Sequence, residues 1–568
     1  MSTSMNRRTF VAGAGAAAVG AMTASMAVAE ESAATAEGAE GAAAPAWLGE
    51  APAVTDADCV ETVECEVLVI GAGSSGYFAA TAAAEGGAKT LLIEKNSVGN
   101  NIRSSAIGAV NSRQQQEKGA FIDPVEIMTD LDRYACGQID TGLVRIWADN
   151  SGETVDWYED LLAKNGLEVQ LEYNMPEGTR YLEWPTGHGT NGAYPDRESE
   201  VAVVMDAYIQ SFEGCEVRYE TALVELIMEG NVCRGVYATN PEGDYIRINA
   251  SAGVVVATGG YAMNQEMYKA LQYQNYTGLS CLDAFPSCTG DGIKALLWAG
   301  ASMDAVHTSL IFNRGLLRND QQIGDPYSHF GDYGYFFFSS QPFLRVNHAG
   351  ERFHNESAPY DFVMHAIGKQ PEGLRFWHQI WDAGWIADVT RFHTTGCSTL
   401  VYREGADHDS VPNNLEEYVA GEIEYFVGEG FIQKADTLEE LAEKLEITDV
   451  ETFLKTCERQ NENFDNQHDP DFGKEAFRLS ELRTAPFYGT KCGGLTLCTL
   501  DGIVANHDCQ PYGADGTPME GVYVIGNDQG AFYAGTYPNL AAGLNAGRCA
   551  TFGRLVGKAL AAKVAEGK

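Results

Sequence analysis

Residues 66–76 read Glu66-Val67-Leu68-Val69-Ile70-Gly71-Ala72-Gly73-Ser74-Ser75-Gly76, and their reading decides the fold. The short β-branched run predicts a strand, and the alanine-rich run from Tyr77 to about Gly86 predicts a helix. Between them stands G-x-G-x-x-G. Gly71 makes the tight turn, Gly73 lets backbone amides approach a pyrophosphate, and Gly76 lets the helix pack close on the strand. Ser74 and Ser75 stand in the turn before that helix, whose N-terminus offers partial positive charge to phosphates. A second strand, Lys89 to Ile93, ends in Glu94-Lys95, and a carboxylate at Glu94 can take both ribose hydroxyls. Strand, glycine turn, helix, strand and acid in this order predict a Rossmann-like α/β fold that binds a dinucleotide.

Working outward, four more segments fall into line. After Lys95 comes Val98-Gly99-Asn100-Asn101-Ile102-Arg103-Ser104-Ser105-Ala106-Ile107-Gly108-Ala109-Val110-Asn111. A later strand reads Gly253-Val254-Val255-Val256-Ala257-Thr258-Gly259-Gly260-Tyr261, and near the C-terminus stand Gly521-Val522-Tyr523-Val524-Ile525-Gly526-Asn527 and Thr551-Phe552-Gly553-Arg554-Leu555-Val556-Gly557. Together these resemble the flavoproteins of the fumarate reductase and 3-ketosteroid dehydrogenase family, over nearly the whole chain from residue 66 to 557. The resemblance implies FAD, held non-covalently. It assigns to the cofactor, besides the glycine turn and Glu94-Lys95, the residues Asn101, Ser104, Ser105, Ala106, Gly108, Ala222, Thr258, Gly259, Gly260, Gly526, Asn527, Leu540, Gly543 and Leu544. It also implies an FAD-binding domain in two chain segments, 61–305 and 483–568, with an α+β capping domain, 306–482, inserted between them. Composition agrees, since the insert is rich in aromatics such as Tyr333, Phe336 to Phe338, Trp377, Trp381 and Trp385. It contains helical runs near Leu415 to Phe426 and Leu438 to Asn463. The stretch 121–215 reads as largely helical, with a loop around Met175 to Asp196 expected to overhang the site.

The same family resemblance points to the chemistry. Asn347 to Glu356 matches the "N..G.RF.NE" signature, with Arg352 as its arginine. Where soluble fumarate reductases place a proton-donating arginine, this chain has Tyr360, in a string similar to the ketosteroid enzymes. The positions that clamp a second carboxylate in fumarate reductases are Thr490 and Leu540, so a small dicarboxylate is not expected. Gly535-Thr536-Tyr537-Pro538 is similar to the element whose tyrosine polarises a substrate carbonyl, although Ala541 replaces a glycine of that element. The resemblance thus implies that hydride from reduced flavin reaches the β-carbon of an enone or enoate. Tyr537 would hold the carbonyl oxygen and Tyr360 protonate the α-carbon. Arg391 and His393 are candidates for the proton route, and Arg352 is read more as an anchor than as a catalyst.

Composition bounds the rest. The 568 residues carry a formal charge of −41, which argues against nucleic acid as a partner. The 13 cysteines show no metal-ligand spacing, so no metal is expected and plain buried thiols are the simplest reading. Asn6-Arg7-Arg8-Thr9-Phe10, an Ala/Gly-rich run and Ala27-Val28-Ala29 read as a twin-arginine export signal over 1–29. A linker follows over 30–60, with Trp47-Leu48 as an apolar anchor. Export places the protein in the periplasm or on the outer face of the cytoplasmic membrane, where NADH is scarce, and the chain has one dinucleotide fingerprint. Electrons should therefore come from a separate cytochrome or FMN-type protein fed by quinol. Two alternatives stand: a dehydrogenase running in the oxidative direction, and a non-catalytic flavin-fold protein that binds an aromatic ligand.

Overall fold

The computed structural model describes residues 44–99, 102–103, 106–172, 178–192, 196–328, 336–394, 398–401 and 415–567. The expected export signal and residues 30–43 of the linker lie outside the described residues. Residues 1–50 and 51–568 form separate units. In the first, the Leu48 and Gly49 amides close a turn on the Pro45 carbonyl. Among the described residues, no helix is long and apolar enough to cross a membrane.

Among the described residues, the second unit is built on three sheets. In the first sheet the strand Glu61–Ile70 pairs in parallel with Thr90–Ile93, Val67 opposite Thr90, and with Tyr245–Val256, Ile70 opposite Val256. Glu216–Arg218 and Val522–Val524 add further parallel pairings, and Val232–Thr239 and Ala222–Glu229 complete the sheet antiparallel. Val67 to Ile70 and Thr90 to Ile93 are buried throughout, which is why the parallel strands read as unbroken apolar runs.

The helix Ser74–Glu85 is buried from Ser75 to Ala84. It begins inside the glycine turn, three residues before the sequence alone suggests. The C-terminal helix, Leu544–Ala565, lies against it through glycines. A Cβ at Gly553 would stand 2.4 Å from the Ser75 carbonyl oxygen, and one at Gly557 2.3 Å from that of Ala79.

Three features depart from the sequence reading. The strand expected to run to Tyr261 stops at Val256. Beyond it Gly259 and Gly260 take φ of 93° and 82°, and the Thr258 and Gly260 amides turn onto the buried Asp528 carboxylate. The helical run expected over 438–463 breaks into Leu438–Lys444 and Val450–Asp465. Glu446 sits there at φ 58°, and Asp449 caps the second helix on the Thr452 amide at 3.0 Å. Between the helices of 121–215, Val169–Leu171 and Gly187–Thr190 form a small sheet with Ile107–Gly108.

The remaining sheet is organised around Phe487–Thr499. That strand pairs with Leu279–Leu282 in parallel and with Ser309–Leu317, Trp377–Trp381 and Ile432–Ala435 antiparallel. This sheet is therefore not confined to residues 306–482, since its central strand and Leu279–Leu282 come from outside that range. Aromatic packing supports it: Phe338 lies 5.0 Å from both Phe343 and Trp381 and 5.3 Å from Trp385, measured between ring centroids.

Candidate active site

Where the two large sheets approach each other, a cavity of about 1520 Å³, its open mouth included, runs past the glycine turn. Gly71 lies on its wall at φ 105°, and a Cβ there would stand 2.3 Å from the Ala257 carbonyl oxygen, so only glycine makes this turn. A Cβ at Gly76 would meet the Gly71 carbonyl oxygen at 1.8 Å. Gly76 thus does not line the cavity; it lets the helix sit down on the strand. Gly73 caps the helix Ser74–Glu85 without any side-chain hydrogen bond. Gly543, at φ 71°, caps the C-terminal helix in the same way. Both glycines line the cavity, so two helix N-termini lie on its wall, an arrangement suited to anionic and carbonyl groups. At the second, the Leu544 amide is already held by the Ala541 carbonyl at 3.1 Å and the Asn545 amide by the Tyr537 hydroxyl at 3.3 Å.

The Glu94 carboxylate lies on the same wall. It accepts the Ala72 amide at 2.8 Å and the Asn96 amide at 2.9 Å. Lys95 is present too, its ammonium on Asp291 at 2.6 Å and on Thr289 at 2.8 Å. Ser74, Ser75, Ala106, Thr258, Gly259 and Asn527 complete the expected lining. Asn101, Ser104 and Ser105 lie outside the described residues. Gly108 packs behind the wall against Gly543, Leu544 is fully buried, and a Cβ at Gly526 would strike the Ser75 hydroxyl. Gly260 donates its amide to Asp528. Ala222 pairs with Thr239 across the sheet, while its neighbours Thr221 and Leu223 line the cavity. Leu540 does not line it; its carbonyl accepts the Trp184 amide at 2.8 Å.

Tyr360 and Tyr537 both reach this cavity, and both are buried. Tyr360 is the first residue of the helix Tyr360–Ile367. Its ring meets Phe312 edge-on at 5.2 Å and its hydroxyl bonds Ser398. The Tyr537 hydroxyl accepts the Asn545 amide at 3.3 Å. The Ala541 amide, at the position where the ketosteroid-like element has glycine, is spent on the Pro538 carbonyl at 3.0 Å.

The other two candidates are held elsewhere. Arg352 is bidentate to Glu356, at 2.9 and 2.7 Å, and reaches Asp469 at 2.9 Å. Lys474 stands 3.4 Å from Glu356 as well. Burial would raise the Glu356 carboxyl, but Arg352 and Lys474 hold it far below the ordinary carboxylate range. Arg352 is thus consumed by a buried ion network and does not reach the cavity. Arg391 donates to Asp388 and to the Leu479 carbonyl, each at 2.6 Å, and lies over the Phe464 ring. Neither it nor His393 lines the cavity, and the partner of the Tyr360 hydroxyl is Ser398.

Sequence reading missed several wall residues. Three buried thiols, Cys288, Cys498 and Cys549, lie on the cavity. Burial pushes the first two up to about 12 and the third above the ordinary thiol value, so all three are neutral. Asn545 links the wall by donating to Asn527 at 2.9 Å and to the Cys498 sulfur at 3.6 Å. No spacing in the sequence signals these groups, because they come together from four separate segments.

The cavity fits FAD: the glycine turn, the Glu94 carboxylate and two helix N-termini stand on one wall. The chain is 26% identical over 482 residues to the vinyl phenol reductase of Lactiplantibacillus plantarum, covering 84% of this chain and 92% of that protein. It is 24% identical over 483 residues to the NADH:fumarate oxidoreductase of Klebsiella pneumoniae, covering 83% of this chain but 45% of that protein. Among solved structures, the 3-ketosteroid delta1-dehydrogenase of Sterolibacterium denitrificans shares the fold, with a TM-score of 0.66 at 17% identity over 88% of this chain and 100% of that one. The model of the FAD binding domain matches residues 66–544, and the chain belongs to that family, as an FAD-dependent oxidoreductase acting on C=C and CH–CH groups.

Proposed function

We propose that this protein is an exported reductase of α,β-unsaturated carbonyl compounds, enones or enoates of aromatic or steroid-like bulk, which serve as respiratory electron acceptors. The observation that carries this reading is the meeting of Tyr360 and Tyr537 in one cavity with the glycine turn and Glu94. Phe285, Leu310, Phe312 and Leu497 provide apolar wall for a bulky acceptor. FAD, once bound and reduced, supplies the hydride. Tyr537 accepts the Asn545 amide, which polarises its hydroxyl toward donating to a substrate carbonyl as negative charge builds there. Tyr360 delivers a proton to the α-carbon, and a phenol with an ordinary pKa of about 10 is well matched to an enolate. Ser398 passes the next proton to the Tyr360 hydroxyl.

Residues 61–305 and 483–568 would hold the cofactor and 306–482 would cover the substrate. Arg7-Arg8 and the short apolar run behind them support export by the twin-arginine route. A separate cytochrome or FMN-type donor linked to quinol would deliver the electrons. The vinyl phenol reductase relative supports an aromatic acceptor.

The test is an anaerobic screen of viologen-reduced holoenzyme against steroid enones, cinnamate-like phenolics and unsaturated lactones. At least one should reoxidise the dye at a rate far above the no-acceptor control, and acid-denatured protein should release FAD. Dye oxidation by none of them would sink the reading. Turnover only from saturated ketosteroid to enone, with an artificial oxidant, would assign the oxidative direction instead.

A further inference from the structure

The loop that carries Tyr537 and the helix that begins with Tyr360 are tied by two side-chain bonds running in opposite directions. The Tyr360 amide donates to Asn539 Oδ1 at 3.3 Å, and the Tyr537 amide donates to Asp361 Oδ2 at 2.9 Å. Each acceptor lies one or two residues from the opposite tyrosine. His365, four residues beyond Asp361 and so on the same helix face, hydrogen-bonds the Gly535 backbone. The Gly535 amide in turn donates to Thr308 Oγ1 at 2.7 Å. Asp361 is almost wholly buried. A buried carboxyl group is costly to keep, and this one, whose Oδ1 is without a hydrogen-bond partner among the described residues, spends Oδ2 on the amide of a residue that faces the cavity.

We propose that Asp361 and Asn539 are positioning residues that fix the separation of the two tyrosine hydroxyls, so that one acceptor can be polarised and protonated in the same bound pose. The inference rests on the tyrosine roles given above. Two groups must meet one substrate, and a displacement of about 1 Å at such a site can cost on the order of 10²-fold in rate. The helix and the loop come from chain segments 176 residues apart, so neither backbone fixes the other. The reciprocal bonds supply that constraint.

The test uses FAD-loaded enzyme, viologen-reduced, with the best acceptor from the screen. Asp361→Ala should lower kcat at least roughly ten-fold, within the range that misplacement produces, and leave KM within about three-fold. Asp361→Asn keeps an oxygen acceptor for the Tyr537 amide and should recover kcat to within about three-fold of wild type. Because Asp361 acts through Tyr537, the double variant with Tyr537→Phe should be no slower than Tyr537→Phe alone. Multiplying losses, an Asp361→Asn as slow as Asp361→Ala, or an unimpaired Asp361→Ala beside a crippled Tyr537→Phe would each overturn the proposal. A fully active Tyr537→Phe would instead remove the tyrosine roles on which it rests. Should Asp361→Ala not fold, Asn539→Ala breaks the other half of the clamp at a less buried residue. It should show the same kcat loss, non-additive with Tyr360→Phe, and a wild-type rate there would equally overturn the proposal.

Discussion

Tyr360 meets the cavity from the first position of its helix, and its hydroxyl has Ser398 as partner and Phe312 against its ring. Removing that hydroxyl takes away the proposed proton donor while leaving the glycine turn and the ring packing in place. Tyr360→Phe is therefore expected to keep the flavin spectrum and to lose roughly 10²- to 10⁴-fold in turnover, mostly in kcat, as steady-state kinetics will show. Ser398→Ala should lose less, because water can replace a relay hydroxyl but not the donor itself. The proposed substrate range also turns on single residues. Thr490 is fully buried with its hydroxyl on the Phe431 carbonyl at 2.9 Å, and Leu540 does not line the cavity. Among the described residues, the cations lining the cavity are Lys95, which is paired with Asp291 at 2.6 Å, and Arg103, whose backbone amide donates to Ser74 at 2.8 Å. The Arg314 guanidinium lies 5.6 Å from the Tyr360 ring centroid and 4.2 Å from that of Phe312, but Arg314 does not line the cavity. With Thr490 and Leu540 at the two clamping positions, fumarate should turn over far more slowly than the best enone in the same viologen assay. Comparable rates would refute this account of the acceptor end.

The element that most constrains the cofactor site is the contact between the helices Ser74–Glu85 and Leu544–Ala565. Gly553 and Gly557 bring the second helix within reach of backbone carbonyls of the first. A backbone atom cannot swing aside as a side chain can, so Gly553→Val has to push the two helices apart. The expected cost is about 1–3 kcal/mol or more, seen as a fall of a few degrees in Tm. FAD loading should fall with it, read from the 450 nm absorbance of purified protein, because Ser75 on the displaced helix lines the cavity. The same substitution at Gly516, at φ 77° with open space around it, would strain only a surface turn and should leave FAD loading intact.

At the scale of the whole molecule, burial sets two groups of side chains against each other in acid. It holds His354 and His378 down to about 3 and His188 to about 4. An unfolded histidine binds its proton near 6.5, so as pH falls below that value the unfolded chain gains protons that the native state refuses, and stability is lost. Burial also raises Asp304 and Asp388 to about 6 and Asp361 and Glu422 to about 7. Their protonated forms favour the native state at low pH, and that contribution is lost as pH rises through 6 to 7. The two groups oppose each other between about pH 4 and 6.5, which predicts a shallow Tm profile there for the wild type. His354→Phe removes one member of the first group. Whatever its cost at pH 8, the variant should gain on the wild type by about 1 kcal/mol for each pH unit below 6.5, measured as a narrowing or reversal of the Tm difference by pH 4.5. Parallel profiles for the two proteins would show that His354 protonates freely in the native state.

Local chemistry made much of this legible in the sequence. A strand buried on both faces has to be apolar, the turn at φ 105° against the Ala257 carbonyl has to be Gly71, and Glu94 stands as a carboxylate at the end of the second strand. These requirements operate within a few residues, so residues 66–95 announced the nucleotide fold, and the resemblance of later segments extended it to FAD. Tyr360 and Tyr537 were nameable from their motifs, but that both line one cavity, clamped by Asp361 and Asn539, is a matter of packing between distant segments. The same holds for the three thiols on the cavity wall and for Ser398, which no spacing foreshadows. Arg352 and Arg391 show the converse: an arginine in a signature looks equally fit for catalysis or for an ion pair, and only the placement of Glu356, Asp469 and Asp388 around them decided for the ion pair. Backbone conformation is dictated mainly by neighbours in sequence, whereas the partners of a buried charge are dictated by whichever segments the tertiary structure brings within hydrogen-bonding distance.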